Sequence, residues 1–193
     1  LFDFYMRIML RRIELDYRIY GFVIENDPLL AKRLSKRIQS LSEDAFIDHI
    51  LLPLLDRMGF TRLRRVQYHG HGEFGSDILP FRYTTPLGTI EYYALQAKAK
   101  NIHGTSDSSG NAGELISQAT QALKVSFVDD LDNERKHIDK FIVAATGKIT
   151  PDARRTIEEA VAGDRKIVFL DLDAIITLIR KNRLVQHVLF SEA

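Results

Sequence analysis

Asp77, Gln96 and Lys98 are the residues whose types and spacing point to chemistry. Gln96 and Lys98 stand two apart near the end of IEYYALQAKAK, residues 90–100, an apolar stretch with β-strand character. Residues two apart in a strand project from one face. Asp77 follows Gly75 at the head of another β-like stretch, SDILPFRYTT, and Pro86-Leu87-Gly88 between the two stretches suits a tight turn. Closing that hairpin brings Asp77 to the end of the strand pair that carries Gln96 and Lys98. An acid, an amide and a lysine that converge suit phosphodiester cleavage. Carboxylate and carbonyl-type oxygens are the hard ligands Mg²⁺ prefers, with Mn²⁺ as a substitute. A nearby lysine can orient or deprotonate a water, or stabilise developing charge. Gly72 and Gly75 leave room for a phosphate backbone to approach.

Positioning such a trio requires a sheet held by helices. Upstream, Asn26-Asp27-Pro28 reads as a helix start, with Asp27 as N-cap and Pro28 at the first helical position of LLAKRLSKRIQSL. Residues 1–41 are read as an N-terminal helical arm, and residues 42–193 as the domain. Ser40 followed by Glu43 is a capping-box signal. Ile47, Ile50, Leu51, Leu54, Leu55 and Met58 then give one apolar helix face that Gly59 ends, with a kink expected at Pro53. TRLRRVQYH, SDILPFRYTT and IEYYALQAK are read as three strands. A Gly/Ser/Asn-rich loop at 101–113 precedes the helical spacing of GELISQATQALKVSFV. The apolar runs 141–146 and 166–170 flank a helix over 151–161, and Asp173 is read as the cap of a last helix through Ile179. Apolar strands on either side of a helix predict a parallel βαβ unit. The fold class is therefore α/β, with a mixed central β-sheet flanked by helices in the order αβββαβαβα.

The whole chain sets wider bounds. Its 193 residues suffice for one core, and no apolar run reaches the roughly 18 residues of a membrane span. A soluble, cytoplasmic protein is expected. The absence of cysteine excludes disulfides, thiolate nucleophiles and cysteine zinc sites, so any metal must use oxygen or imidazole. Net charge is only +1, so nucleic-acid binding has to rest on local patches. Arg62, Arg64 and Arg65 form one such patch, and Lys100, His71 in YHGHGE and Gln118 lie where they could contact nucleic acid. With little aromatic interleaving, duplex DNA is the expected partner. The first residue is Leu rather than Met, which fits a fragment of a larger chain.

These residues resemble a known family. Gly75-Ser76-Asp77-Ile78 resembles the G-x-D-I, and Gln96-Ala97-Lys98 the Q-x-K variant of E-x-K, of Mrr-like restriction endonuclease domains in the PD-(D/E)xK nuclease superfamily. Met58-Gly59-Phe60 at a helix end and the closing FIVAATGKITPDARRTI…KIVFLDLDAIITLI are similar as well, so the resemblance covers about Ser42 to Arg180. It implies a restriction-endonuclease-like core and a Mg²⁺-dependent DNA endonuclease acting in restriction or anti-phage defence. Asp77 would bind metal, Gln96 and the Ala97 carbonyl would complete the site, and Lys98 would assist the attacking water. The family's first helix brings a Glu, and counting back from Gly59 places Asp48 there. Double-strand cleavage needs two sites, so a homodimer is expected. The alternative is a nucleic-acid-binding or sensor module that kept the fold and lost turnover, which Asp48 in place of Glu and Gln96 in place of an acid both favour.

Two other motifs carry blander meanings. Thr146-Gly147-Lys148 lacks the flanking residues of a phosphate loop. Asp171-Leu-Asp173 resembles the D-x-D of haloacid-dehalogenase-type phosphatases but lacks the Gly-Thr that follows there, and helix capping explains it more simply.

Overall fold

The computed structural model describes residues 28–66, 76–104, 112–161 and 167–190. Five strands form one mixed sheet in the order β1-β2-β3-β6-β7: β1 (Phe60–Thr61), β2 (Ile78–Thr84), β3 (Ile90–Lys98), β6 (Lys140–Ala145) and β7 (Ile167–Leu170). β1, β2 and β3 pair antiparallel, whereas β3, β6 and β7 pair parallel. The helices are α1 (Pro28–Gln39), α2 (Glu43–Phe46), α3 (Leu52–Arg57), α4 (Ala112–Lys124), α5 (Pro151–Ala160), α6 (Leu172–Lys181) and α7 (Val185–Phe190). The expected mixed sheet flanked by helices is what forms. An additional antiparallel ribbon of β4 (Ser126–Val128) and β5 (Arg135–His137) was not expected from the sequence.

Alternation along the buried strands makes two cores. Tyr93, Leu95 and Ala97 of β3, with Ile142 and Ala144 of β6, pack with Leu34, Ile38, Phe46, Ile50, Leu55 and Ile175 on one face. Tyr92 and Ala94, with Phe141, Val143 and Ala145, pack with Leu115, Ala119 and Ile157 on the other. Strands buried on both faces must be apolar at every position, which is why they read as continuous runs. Within that pattern Gln96 and Lys98 occupy the next two positions after Tyr92 and Ala94, so they emerge on the α4 side of the sheet. α1, read from the sequence as part of an arm, places Leu30, Leu34 and Ile38 in the first core.

Several local expectations are corrected. Ser42, not Ser40, caps α2: its Oγ accepts the Ala45 N–H at 3.2 Å, while the Ser40 hydroxyl donates to the Arg37 carbonyl. Asp171, not Asp173, caps α6 through the Ala174 N–H at 3.0 Å, and it also pairs with Arg154 at 2.5 Å. TRLRRVQYH contributes only Thr61 to β1 and a bridge from Arg65 to Ile78; from Gln67 on it lies outside the described residues, as does the Asp27 cap. At Pro53 the chain forms a π-helical turn, Ile47–Leu51, in which the Leu52 N–H reaches back five residues to the Ile47 carbonyl. A proline cannot donate to the preceding turn, and widening the helix there absorbs the mismatch. Gly59 ends α3 at φ 90°, a left-handed backbone that favours glycine. The Gly88 N–H closes onto the Thr85 carbonyl at 2.8 Å, with Pro86 in the position whose φ proline presets, so the PLG hairpin forms as read.

Candidate active site

The site forms where β2 begins and β3 ends. Ile78 pairs with Leu95, which puts Asp77 opposite Gln96. The Asp77 N–H donates to the Leu95 carbonyl at 2.9 Å. Ser76, buried, fastens this junction: its Oγ accepts the Leu95 N–H at 3.0 Å and lies 2.7 Å from the Ile78 carbonyl. The backbone of Leu95 and Ala97 faces β2, so beyond the start of β2 the Ala97 N–H reaches the Asp77 side chain, donating to Oδ2 at 2.7 Å. The Ala97 carbonyl lies on the same side of the strand by the strand's alternation. Gln96 donates its amide to both Asp77 oxygens at 2.9 Å. Gln96 and Lys98 are buried, at 4% and 8% exposure, which is unusual for such residues without a partner or a task.

A second acid enters from the opposite face. Ser42 caps α2 so that Glu43, in its first turn, reaches the end of β3, where Oε2 accepts the Ala99 N–H at 3.4 Å. Burial is the main force holding the Asp77 carboxyl above its ordinary value. The Glu43 charge adds to it, and the Ala97 N–H, Lys98 and Gln96 oppose it. Two half-buried carboxylates thus share one strand end, where the Glu43 charge disfavours that of Asp77. Asp48 is elsewhere. Its Oδ2 meets Arg65 Nη1 at 2.9 Å, and the same guanidinium also holds Asp44. Glu43 and Asp48 are five residues apart and meet different neighbours. Glu43 was missed because the only signal it gave was its place in a capping pattern.

On the α4 side, Lys98 Nζ lies 3.0 Å from Glu114 Oε1, and Gln118 donates its amide to that oxygen at 3.3 Å. Gln118 is therefore part of the lysine's surroundings. Arg62 pairs with Asp129 and Asp130, Arg65 with Asp44 and Asp48, while Arg64 and Lys100 are exposed. His71 lies outside the described residues.

The restriction endonuclease model of the Mrr catalytic type matches residues 38–179, most of the chain. The chain belongs to the Mrr-type restriction endonuclease family. The observed mixed sheet flanked by helices fits the fold of that family. A solved structure, the "DNA modification-dependent restriction endonuclease AspBHI", is similar over 84% of this chain and 38% of that one, at 13% identity and a TM-score of 0.46. The chain thus spans well under half that protein's length. A search of curated proteins found no match. Among the described residues, no helix is long and apolar enough to cross a membrane.

The residues fit the divalent cation that members of such a family use. Asp77, Glu43, the Gln96 amide and the Ala97 carbonyl all offer hard oxygen donors at one strand end. Among the described residues no group of three or more acidic, histidine or cysteine side chains is arranged to hold a metal ion by itself.

Proposed function

We propose that this domain is a Mg²⁺-dependent DNA endonuclease of restriction or anti-phage defence, with Asp77 and Glu43 as its acidic pair. The observation that carries the reading is the single cluster of Asp77, Gln96, Ala97, Lys98 and Glu43 at one strand end in a chain of this family. Asp77 and Glu43 would hold the cation with the Gln96 and Ala97 oxygens. When bound, the ion supplies Lewis acidity to a phosphate oxygen and acidity to a coordinated water. Lys98 supplies a fixed ammonium donor that orients the attacking water and stabilises charge on the phosphate. Arg64, Lys100 and the segment around His71 would contact the DNA backbone, and a homodimer would bring two sites to one duplex.

Asp48 is left out of the acidic pair because its charge is engaged by Arg65. Plasmid cleavage with Mg²⁺ or Mn²⁺ tests the assignment. Cleavage is expected from the native chain, loss in Asp77→Ala, Lys98→Ala and Glu43→Gln, and retention in Asp48→Asn. Loss in Asp48→Asn with full activity in Glu43→Gln would reverse the roles of the two acids. Intact DNA binding without cleavage under either cation would replace the nuclease reading with that of a binding or sensor module.

A further inference from the structure

Glu114 belongs to neither the strand motif nor the first helix, yet its carboxylate meets the ammonium that the nuclease reading needs. It stands in the first turn of α4 with Oε1 3.0 Å from Lys98 Nζ. Gln118, one turn further along α4, donates to the same oxygen. The Lys98 side chain is 10% exposed and that of Glu114 is 42% exposed, so the pair runs from the buried strand end to the rim. A lysine stem has four rotatable carbons and its ammonium has three donors. One donor committed to an acceptor on α4 selects a single direction for the stem and leaves the other two for the strand end. Asp77 is instead hydrogen-bonded by Gln96 and the Ala97 N–H.

Resting on the nuclease reading above, we propose that Glu114 is the positioning residue for Lys98, with Gln118 holding Glu114 in turn. Glu114 touches neither DNA nor cation and acts only through the lysine. Single-turnover plasmid cleavage with Mn²⁺ tests this across the native chain, Glu114→Ala, Lys98→Ala and the double variant. Glu114→Ala is expected to slow cleavage on the order of 10- to 100-fold while leaving DNA affinity unchanged, as misplacement of a catalytic group does. In the Lys98→Ala background it is expected to cost nothing further, because the residue through which it acts is already gone. An equal loss in both backgrounds, or a fall in DNA affinity that accounts for the fall in rate, overturns the proposal.

A second readout needs no cation. In metal-free protein, acylation of Lys98 relative to Lys148, followed by mass spectrometry, is expected to speed up in Glu114→Ala and in the shape-preserving Glu114→Gln. An unchanged ratio in both overturns the proposal. Absence of cleavage by the native chain would instead sink the nuclease reading, and the acylation ratio would still decide whether Glu114 holds Lys98.

Discussion

Asp77 and Asp129 are both aspartates withdrawn from water, and their surroundings push them in opposite directions. Asp129, at 1% exposure, accepts the Tyr92 hydroxyl at 2.5 Å and the Leu131 N–H at 3.2 Å, and it pairs with Arg62. The Tyr92 hydroxyl is the main reason the Asp129 carboxyl lies below its ordinary value. Burial, and then Asp129 itself, push Tyr92 up to about 12. Asp77 is held above its ordinary value by burial and by Glu43. The difference separates structure from chemistry. A buried charge with both oxygens engaged ties the β4–β5 ribbon and Arg62 to β3, whereas two acids at one strand end are the feature from which the metal reading is argued.

The sharpest break of this contrast is Asp77→Ala, which should reduce cleavage by at least the order of 10²- to 10³-fold, the scale of losing one electrostatic contact to the reacting centre. Its thermal melt should not fall, since the removed charge is the one that burial disfavours. The reverse pattern is expected of Asp129→Asn. Removing one partner from a buried, charge-assisted cluster should lower stability by about 3 kcal/mol in a denaturant titration. Cleavage per folded molecule should persist. The pH dependence separates the two sites further. Asp129, with a depressed folded value, stabilises the fold above the ordinary aspartate value of 3.8, and that contribution is lost as pH falls through its folded value. Asp77 carries the opposite sign. Its charged form costs stability at neutral pH, and the cost is relieved as pH falls toward its raised folded value. Melts of Asp77→Asn against the native chain should therefore show an advantage at pH 7 that shrinks in acid.

Binding should sharpen the comparison from the other side. Mn²⁺ at about 100 times its dissociation constant should stabilise the native chain by about 2.7 kcal/mol. Asp129→Asn should gain the same increment and Asp77→Ala none, read as shifts in a calorimetric melt. The smallest effect is expected of Arg65→Ala. The Arg65–Asp44 and Arg65–Asp48 pairs are partly exposed, so their loss should cost no more than about 1 kcal/mol. Arg65 also bridges to Ile78 and so ties the helix that carries Glu43 to the strand entered through Asp77. A cleavage rate that falls while stability barely changes would show that this tie aligns the two acids.

Much of the fold was legible because its signals are local. The Pro86-Leu87-Gly88 turn, the Gly59 stop and the apolar runs of β6 and β7 each depend on a few adjacent residues. The β4–β5 ribbon was not legible. Its strands are three residues each, and RKH carries no apolar alternation, so pairing rather than propensity makes it β. The caps at Ser42 and Asp171 were misread by two residues because each has a competing oxygen-bearing neighbour, and only backbone geometry chooses between them. On the site, the period of two along IEYYALQAK was enough to place Gln96 and Lys98 together. The count back from Gly59 leads to Asp48, which meets Arg65, whereas Glu43 stands at the strand end and showed in the sequence only as part of a capping pattern.

By itself the sequence determined what is written in neighbouring residues: the strand that aims an amide and a lysine to one face, the hairpin that returns Asp77 to them, and the family these motifs mark. Tertiary structure alone decided which groups from distant elements meet that strand end. Glu43 arrives from one face and Glu114 from the other, while Asp48 is turned away to Arg65. Helix phase, cap position and packing angle settle such meetings. They depend on contacts between segments far apart in the chain, which no local spacing encodes.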